Sequence, residues 1–215
     1  MSDAVDSAII AKTAVMNQLP LENIYATALS PLAHVNALAS VEKPNNTKIA
    51  LTEDGLLGYL VLRGNAGDED FKQAVKKALA CELPTRLTCV YGDDLSIRWV
   101  SPDEWLIVCA GGQAFKLELN LRKFLSGHYS VCNISGGQTL LVLSGAHARD
   151  VLMKSTSYDV SACQFPIGKV VTTTLSKSQA IICRKHEDVW ELIIRRSFAD
   201  YIWLWLDAAA AEFNR

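Results

Sequence analysis

The chain has 215 residues, half of them apolar and a fifth charged, with a formal net charge of −2. That is the composition of a globular protein with room for one large domain or two small ones. It excludes a nucleic-acid binder that works through a basic stripe, and no apolar run approaches the ~20 residues that cross a bilayer. The opening Met1-Ser2-Asp3-Ala4-Val5-Asp6 is acidic and lacks the basic start and apolar core of a secretory signal. The cysteines Cys81, Cys89, Cys109, Cys132, Cys163 and Cys183 are scattered, with no C-x-x-C pair. Four of them (89, 109, 132 and 183) fall inside apolar strand patterns, where a thiol acts as a small hydrophobe. A cytoplasmic protein without a disulfide framework is expected.

Residues 1–45 read as an N-terminal arm. Ala8–Met16 suits a helix, and Pro20, Pro31 and Pro44 punctuate a stretch that ends in the turn signal Lys43-Pro44-Asn45-Asn46. Such an arm either wraps a partner or packs on its own domain. The core domain, 46–215, opens with strands at 47–52 and 57–62 around the turn Glu53-Asp54-Gly55. A helix near Asp68–Cys81 starts on Asp68-Glu69-Asp70 and ends on Lys76-Lys77, charges that complement its macrodipole. Its apolar face is Phe71, Val75, Ala78 and Leu79. Strands follow near 86–91, 96–100 and 105–109. A helix at 114–125 carries Leu117, Leu121, Phe124 and Leu125, with Gly127 placed to stop it.

From residue 128 the order starts again. Strands near 129–134 and 139–143 flank Gly136-Gly137, read as a hairpin turn. A helix at 146–153 precedes the irregular stretch through Phe165-Pro166-Ile167-Gly168, and strands follow at 169–175, 179–184 and 189–195. Ser197, with Asp200 three residues on, has the pattern of a capping box. The last helix is expected to run to about Phe213, with Ile202, Trp205, Leu206, Ala209 and Phe213 on one face.

The two halves stay nearly in step. Gly64 and Gly145, each following a short apolar strand and preceding a helix, are 81 positions apart; Trp105 and Trp190, each opening a strand, are 85 apart. The fold class is therefore α+β, a pseudo-duplicated ββαβββα unit with pseudo-repeats about 47–127 and 128–213. Such a body has a cleft or face at its centre.

No chemistry announces itself there. His34, His128, His147 and His186 lie apart from one another, and His186-Glu187-Asp188 reads as a hairpin turn, so the three or four convergent ligands of zinc are not in view. There is no G-x-S-x-G elbow. Gly111-Gly112 and Gly136-Gly137 lack a phosphate-cradle context and read as turn glycines. Asp103 and Glu104 follow Pro102 and read as a solvated turn. Trp105 and Trp190 are expected to pack in matching cores. Trp203 and Trp205, two positions apart, lie about 200° apart around a helix. If Trp205 faces the core, Trp203 faces outward beside Tyr201, either at a protein interface or under the arm.

Four segments occur in an order that resembles a known family: Ser101-Pro102-Asp103-Glu104-Trp105-Leu106, Leu143-Ser144-Gly145-Ala146-His147-Ala148-Arg149-Asp150-Val151-Leu152, Phe165-Pro166-Ile167-Gly168 and Arg195-Arg196-Ser197-Phe198-Ala199-Asp200-Tyr201. Together, over roughly residues 57–213, they look like the gamma subunit of heterotetrameric sarcosine oxidase, although Asn133 and Gly136 stand where that family's pattern has Asp. The resemblance implies a complex that oxidatively demethylates sarcosine to glycine, passes the one-carbon unit to tetrahydrofolate and forms hydrogen peroxide. It implies partners in the alpha, beta and delta subunits, with FAD, covalently attached FMN, NAD and tetrahydrofolate held on other subunits and no cofactor on this chain.

The fold it implies is that of the folate-binding aminomethyltransferases. Two functional positions of those enzymes fall here on Cys109, in place of an Asn, and on Ser96-Ile97-Arg98-Trp99-Val100, which lacks the carboxylate of a catalytic Asp. A non-catalytic subunit is expected, docking a broad face on its partners through Arg195, Arg196, Tyr201 and Trp203. One of the two arginines would ion-pair across the interface and the other would be structural. The alternative is a stand-alone folate-dependent one-carbon transferase that uses the central cleft; a third reading is a related complex for another N-methyl amino acid.

Overall fold

A computed structural model describes residues 28–35 and 48–214; most of the expected N-terminal arm, including Ala8–Met16, lies outside them. Among the described residues, ten strands form two five-stranded antiparallel sheets. The elements run β1 (Ala50–Asp54), β2 (Leu57–Arg63), α1 (Glu69–Leu79), β3 (Cys89–Tyr91), β4 (Leu95–Ser101), β5 (Glu104–Ala110) and α2 (Ala114–Phe124). They continue with β6 (Ser130–Asn133), β7 (Gln138–Ser144), α3 (Ala148–Ser155), β8 (Val170–Leu175), β9 (Ser178–His186), β10 (Val189–Arg195) and α4 (Ala199–Ala210).

One sheet has the order β3-β4-β5-β2-β6 and the other β1-β7-β10-β9-β8. The first strand of each half therefore leaves its own half: β1 pairs with β7, Ala50 opposite Ser144, and β6 pairs with β2, Leu60 opposite Asn133. This corrects the hairpin expected at Gly136-Gly137. The chain does turn there, with Gly137 N–H donating to the Ile134 carbonyl at 3.0 Å, but it passes from one sheet to the other. The residues between two strands report a turn; which strands pair depends on apolar faces far apart in the chain.

The sheets stack face to face with helices on both outer sides. Alternation along each strand sends successive side chains to opposite faces. In β5, Trp105, Ile107 and Cys109 pack under α1 and α2, while Leu106 and Val108 enter the layer between the sheets. In β10, Trp190, Leu192 and Ile194 pack under α3 and α4, while Ile193 enters the middle layer with Tyr59 and Leu140. Trp105 and Trp190 occupy corresponding places in the two outer cores, as expected, against Phe71 (ring centroids 5.8 Å apart) and Phe165 (5.0 Å).

Gly64 and Gly145 sit at matching corners. Gly64 N–H donates to the Asp103 carbonyl at 3.0 Å and Gly145 N–H to the Asp188 carbonyl at 2.9 Å. A Cβ on Gly64 would lie 2.3 Å from the Phe71 ring; one on Gly145, where φ is +119°, would lie 2.1 Å from the Lys48 carbonyl oxygen. Both corners need glycine because the strand turns into the helix against packed neighbours.

Helix ends departed from expectation in informative ways. Asp68 does cap α1, its carboxylate accepting from the Asp70 and Phe71 amides. Ser197 does not cap α4. It lies within a 3-10 turn, Arg196–Phe198, and Phe198 holds the cap position without a side-chain bond. The same 3-10 lead-in, Gly111–Gln113, precedes α2. Gly127 does not terminate α2: Leu125 leaves it in an extended conformation, with its N–H on the Leu121 carbonyl. The buried face of α2 is also turned from the expected one. Glu118 is buried and pairs with Arg122, while Phe124 is exposed. Cys132 is exposed rather than buried, because it lies on edge strand β6 facing away from the core.

Candidate partner interface and inter-sheet cleft

The middle layer is apolar except at one end, where two charges meet. Ile97 of β4 packs with the helix-side core, so Arg98 points the other way, between the sheets. Glu191 of β10, between core residues Trp190 and Leu192, does the same from the opposite sheet. The guanidinium Nη2 donates to Glu191 Oε2, with both side chains at most 5% exposed. Nη1 donates to Ser96 Oγ at 2.8 Å. Glu191 also accepts from the Tyr91 hydroxyl at 3.0 Å and from Lys185 Nζ at 2.7 Å. Burial raises the Glu191 pKa, and Arg98 with Lys185 more than offsets this, holding the carboxyl below its ordinary value.

A cleft of about 320 Å³ opens over this cluster, with Asp54, Asp93, Asp94 and Cys109 also in its wall. Burial and the neighbouring Glu191 charge raise the pKa of Asp54. The strand 96–100 carries no carboxylate of its own; β10 brings one to it, already engaged by three donors. Cys109 is buried, its thiol 3.8 Å from the Gly58 carbonyl. Among the described residues no three His, Cys, Asp or Glu side chains are grouped to hold a metal. His186-Glu187-Asp188 connects β9 to β10, the hairpin turn expected. A larger surface hollow of about 540 Å³ lies beside Gly64 and Tyr129, where Arg63 pairs with Asp103 at 2.8 Å and with Glu104 at 3.4 Å.

The four interface candidates gather at the N-terminal part of α4 with separate tasks. Arg195 ends β10 opposite Gln138 and is exposed. Arg196 is in the 3-10 turn rather than on the strand; it donates to the Leu29 carbonyl at 3.2 Å, tying residues 28–35 to this end of the molecule. Tyr201 is half-buried, its hydroxyl 2.5 Å from Ser176 Oγ. The two tryptophans are the reverse of the expectation. Trp203 packs against the core, and Trp205 is 39% exposed, its indole N–H held by Ser155 Oγ at 3.1 Å. The core side of α4 is set by Ala199, Ile202, Leu206 and Ala210, and Trp203 lies nearer that stripe than Trp205.

The sarcosine oxidase, gamma subunit family model matches residues 63–212, most of the chain. The chain belongs to that family. Sarcosine oxidase subunit gamma from Corynebacterium sp. strain U-96 is 28% identical over 190 residues, covering 86% of this chain and 91% of that relative. The subunit gamma from an Arthrobacter species is 29% identical over 160 residues, 73% of this chain and 76% of that one. Among solved structures, a chain of the heterotetrameric sarcosine oxidase of Corynebacterium sp. U-96 superposes with a TM-score of 0.78 at 28% identity, covering 87% of this gamma-family chain and 97% of that chain. The aminomethyltransferase T of the Bartonella henselae glycine cleavage system shares the fold, with a TM-score of 0.61 at 16% identity over 82% of this chain and 56% of that one.

The Arg98–Glu191 pair escaped the sequence reading, though a signal was present. Each is a single charge inside a run apolar on both faces, Ile97-Arg98-Trp99-Val100 and Val189-Trp190-Glu191-Leu192-Ile193. A lone charge in a doubly buried strand requires a partner.

Proposed function

We propose that this chain is a non-catalytic gamma-type subunit that stabilises or assembles the catalytic alpha and beta subunits of a sarcosine oxidase complex, alongside delta. The complex would demethylate sarcosine to glycine, with tetrahydrofolate accepting the one-carbon unit and hydrogen peroxide formed. FAD, FMN, NAD and tetrahydrofolate would reside on the other subunits, and the assembly would be cytoplasmic. The observation that carries the reading is the family match over residues 63–212. The engaged Glu191 in the inter-sheet cleft supports the non-catalytic part, since a carboxylate held by Arg98, Tyr91 and Lys185 below its ordinary pKa is a poor general base. The repeated order of elements supports reading 47–127 and 128–213 as pseudo-repeats, and residues 1–45 would form an arm ahead of them.

Co-expression of the tagged chain with the chains encoded beside it, followed by pull-down and a visible spectrum, tests this. A yellow complex with flavin bands and larger partners is expected. A colourless single chain that binds tetrahydrofolate would instead establish the stand-alone transferase.

A further inference from the structure

Helix α4 is apolar on two opposite sides. Ala199, Ile202, Leu206 and Ala210 are at most 5% exposed and close the core. Leu204, Trp205 and Ala208, spaced one and three apart, share the side turned away from it. Leu204 is 66% exposed and Trp205 39%, with Ala208 exposed between them and the helix end. A helix hydrophobic all round is a buried helix, yet here only one side is covered by the described residues. Residues 28–35 meet its N-terminal end through Leu29 on Arg196 and His34 on Asp200, with Leu32 in the core beneath, and Ile49 meets its C-terminal end through Asn214.

The charges define the rest of the surface. From Ser197 to Asn214 there is no Lys or Arg. Asp200 and Asp207, seven positions apart, line the Leu204 side of the stripe. Asp200 faces His34 at 3.2 Å; Asp207 has no ion pair among the described residues. The helix is thus an aliphatic and aromatic stripe with an acidic edge; the basic groups of the described residues touch its two ends, His34 at Asp200 and Lys154 at the Ala209 carbonyl and Glu212, and leave Asp207 between them.

Resting on the subunit reading above, we infer that the outer face of α4 is the docking element, seated in an apolar groove of another subunit whose rim presents Lys or Arg to Asp207. Trp205 suits this role, since its ring is already oriented by a hydrogen bond to Ser155 and loses little freedom on binding. Arg196 ties residues 28–35 to its N-terminal end, and the stripe makes the contact.

The test is co-expression of the tagged full chain with its partner chains, comparing wild type with Leu204→Glu/Ala208→Glu, with Asp207→Lys, and with Ile167→Glu on an exposed loop residue outside α4. Captured flavoprotein should fall at least about tenfold for the double variant, a loss of about 1.4 kcal/mol or more in association. It should fall for Asp207→Lys most strongly at low salt, and it should hold for Ile167→Glu. Far-UV circular dichroism and the melting temperature of each purified chain should match wild type. Full capture by the double variant overturns the docking face while leaving the subunit reading intact. A double variant that assembles normally but melts several degrees lower would show that the chain's own remaining residues cover the stripe, and wild-type dimers abolished by the double variant would show a second copy there; either overturns the inference. Failure of the wild type to capture any flavoprotein overturns both readings.

Discussion

Arg98 and Glu191 show what a single pair of side chains decides in this molecule. Each was placed in the middle layer by strand alternation, and each is tolerable there only because the other arrives from the opposite sheet. Arg98→Met alone should cost about 3–5 kcal/mol, because it leaves Glu191 buried with two of its three donors. Arg98→Met combined with Glu191→Leu should recover most of that loss, since the apolar pair fits the surrounding Leu106, Val108 and Ile193. Urea denaturation of the four members of the cycle measures it. The pH dependence has a defined sign. The folded carboxyl titrates below its ordinary value of 4.5, so its contribution is fully present above that pH and disappears as the pH falls through the lowered value. Wild type should therefore lose stability below about pH 4.5 more steeply than the double variant.

Among the elements, the exchanged strands matter most. Because β1 belongs to the β7 sheet and β6 to the β2 sheet, neither half of the sequence contains a complete sheet. A fragment ending at residue 127 lacks the β6 edge and leaves β1 without a partner; the fragment from 128 lacks β1. Each fragment alone should show no cooperative thermal transition, and mixing the two should restore one, read by circular dichroism. Independent folding of either fragment would mean that the exchanged strands add little. The helices were legible in the sequence where a local device defined them, as Asp68 does for α1. They were misread where the end depends on packing, as at Phe198 and Leu125, whose conformations follow from the sheet each helix must cover.

Across the whole molecule, accessibility separates the cysteines into classes that composition alone does not reveal. Cys132 and Cys163 are exposed, Cys89 is partly covered, and Cys81, Cys109 and Cys183 are buried. Burial raises the pKa of Cys81 and Cys109, which makes them still less reactive. A thiol reagent applied to the folded chain should modify Cys132 and Cys163 rapidly and the three buried thiols only on unfolding, as peptide mass spectrometry would show. Rapid modification of Cys109 would indicate that the α2 side of the molecule opens in solution.

The residues by themselves determined the class of structure, the crowded corners at Gly64 and Gly145, the two core tryptophans and the family. These are carried by local patterns: a period of two or of 3.6, a glycine at a crowded corner, a short motif in order. Only the tertiary structure decided which strands share a sheet, that Arg98 meets Glu191, and that Trp205 rather than Trp203 faces outward on α4. Those outcomes depend on which apolar faces find each other across dozens of residues of chain, and the contacts they create are between positions that no sequence window contains together.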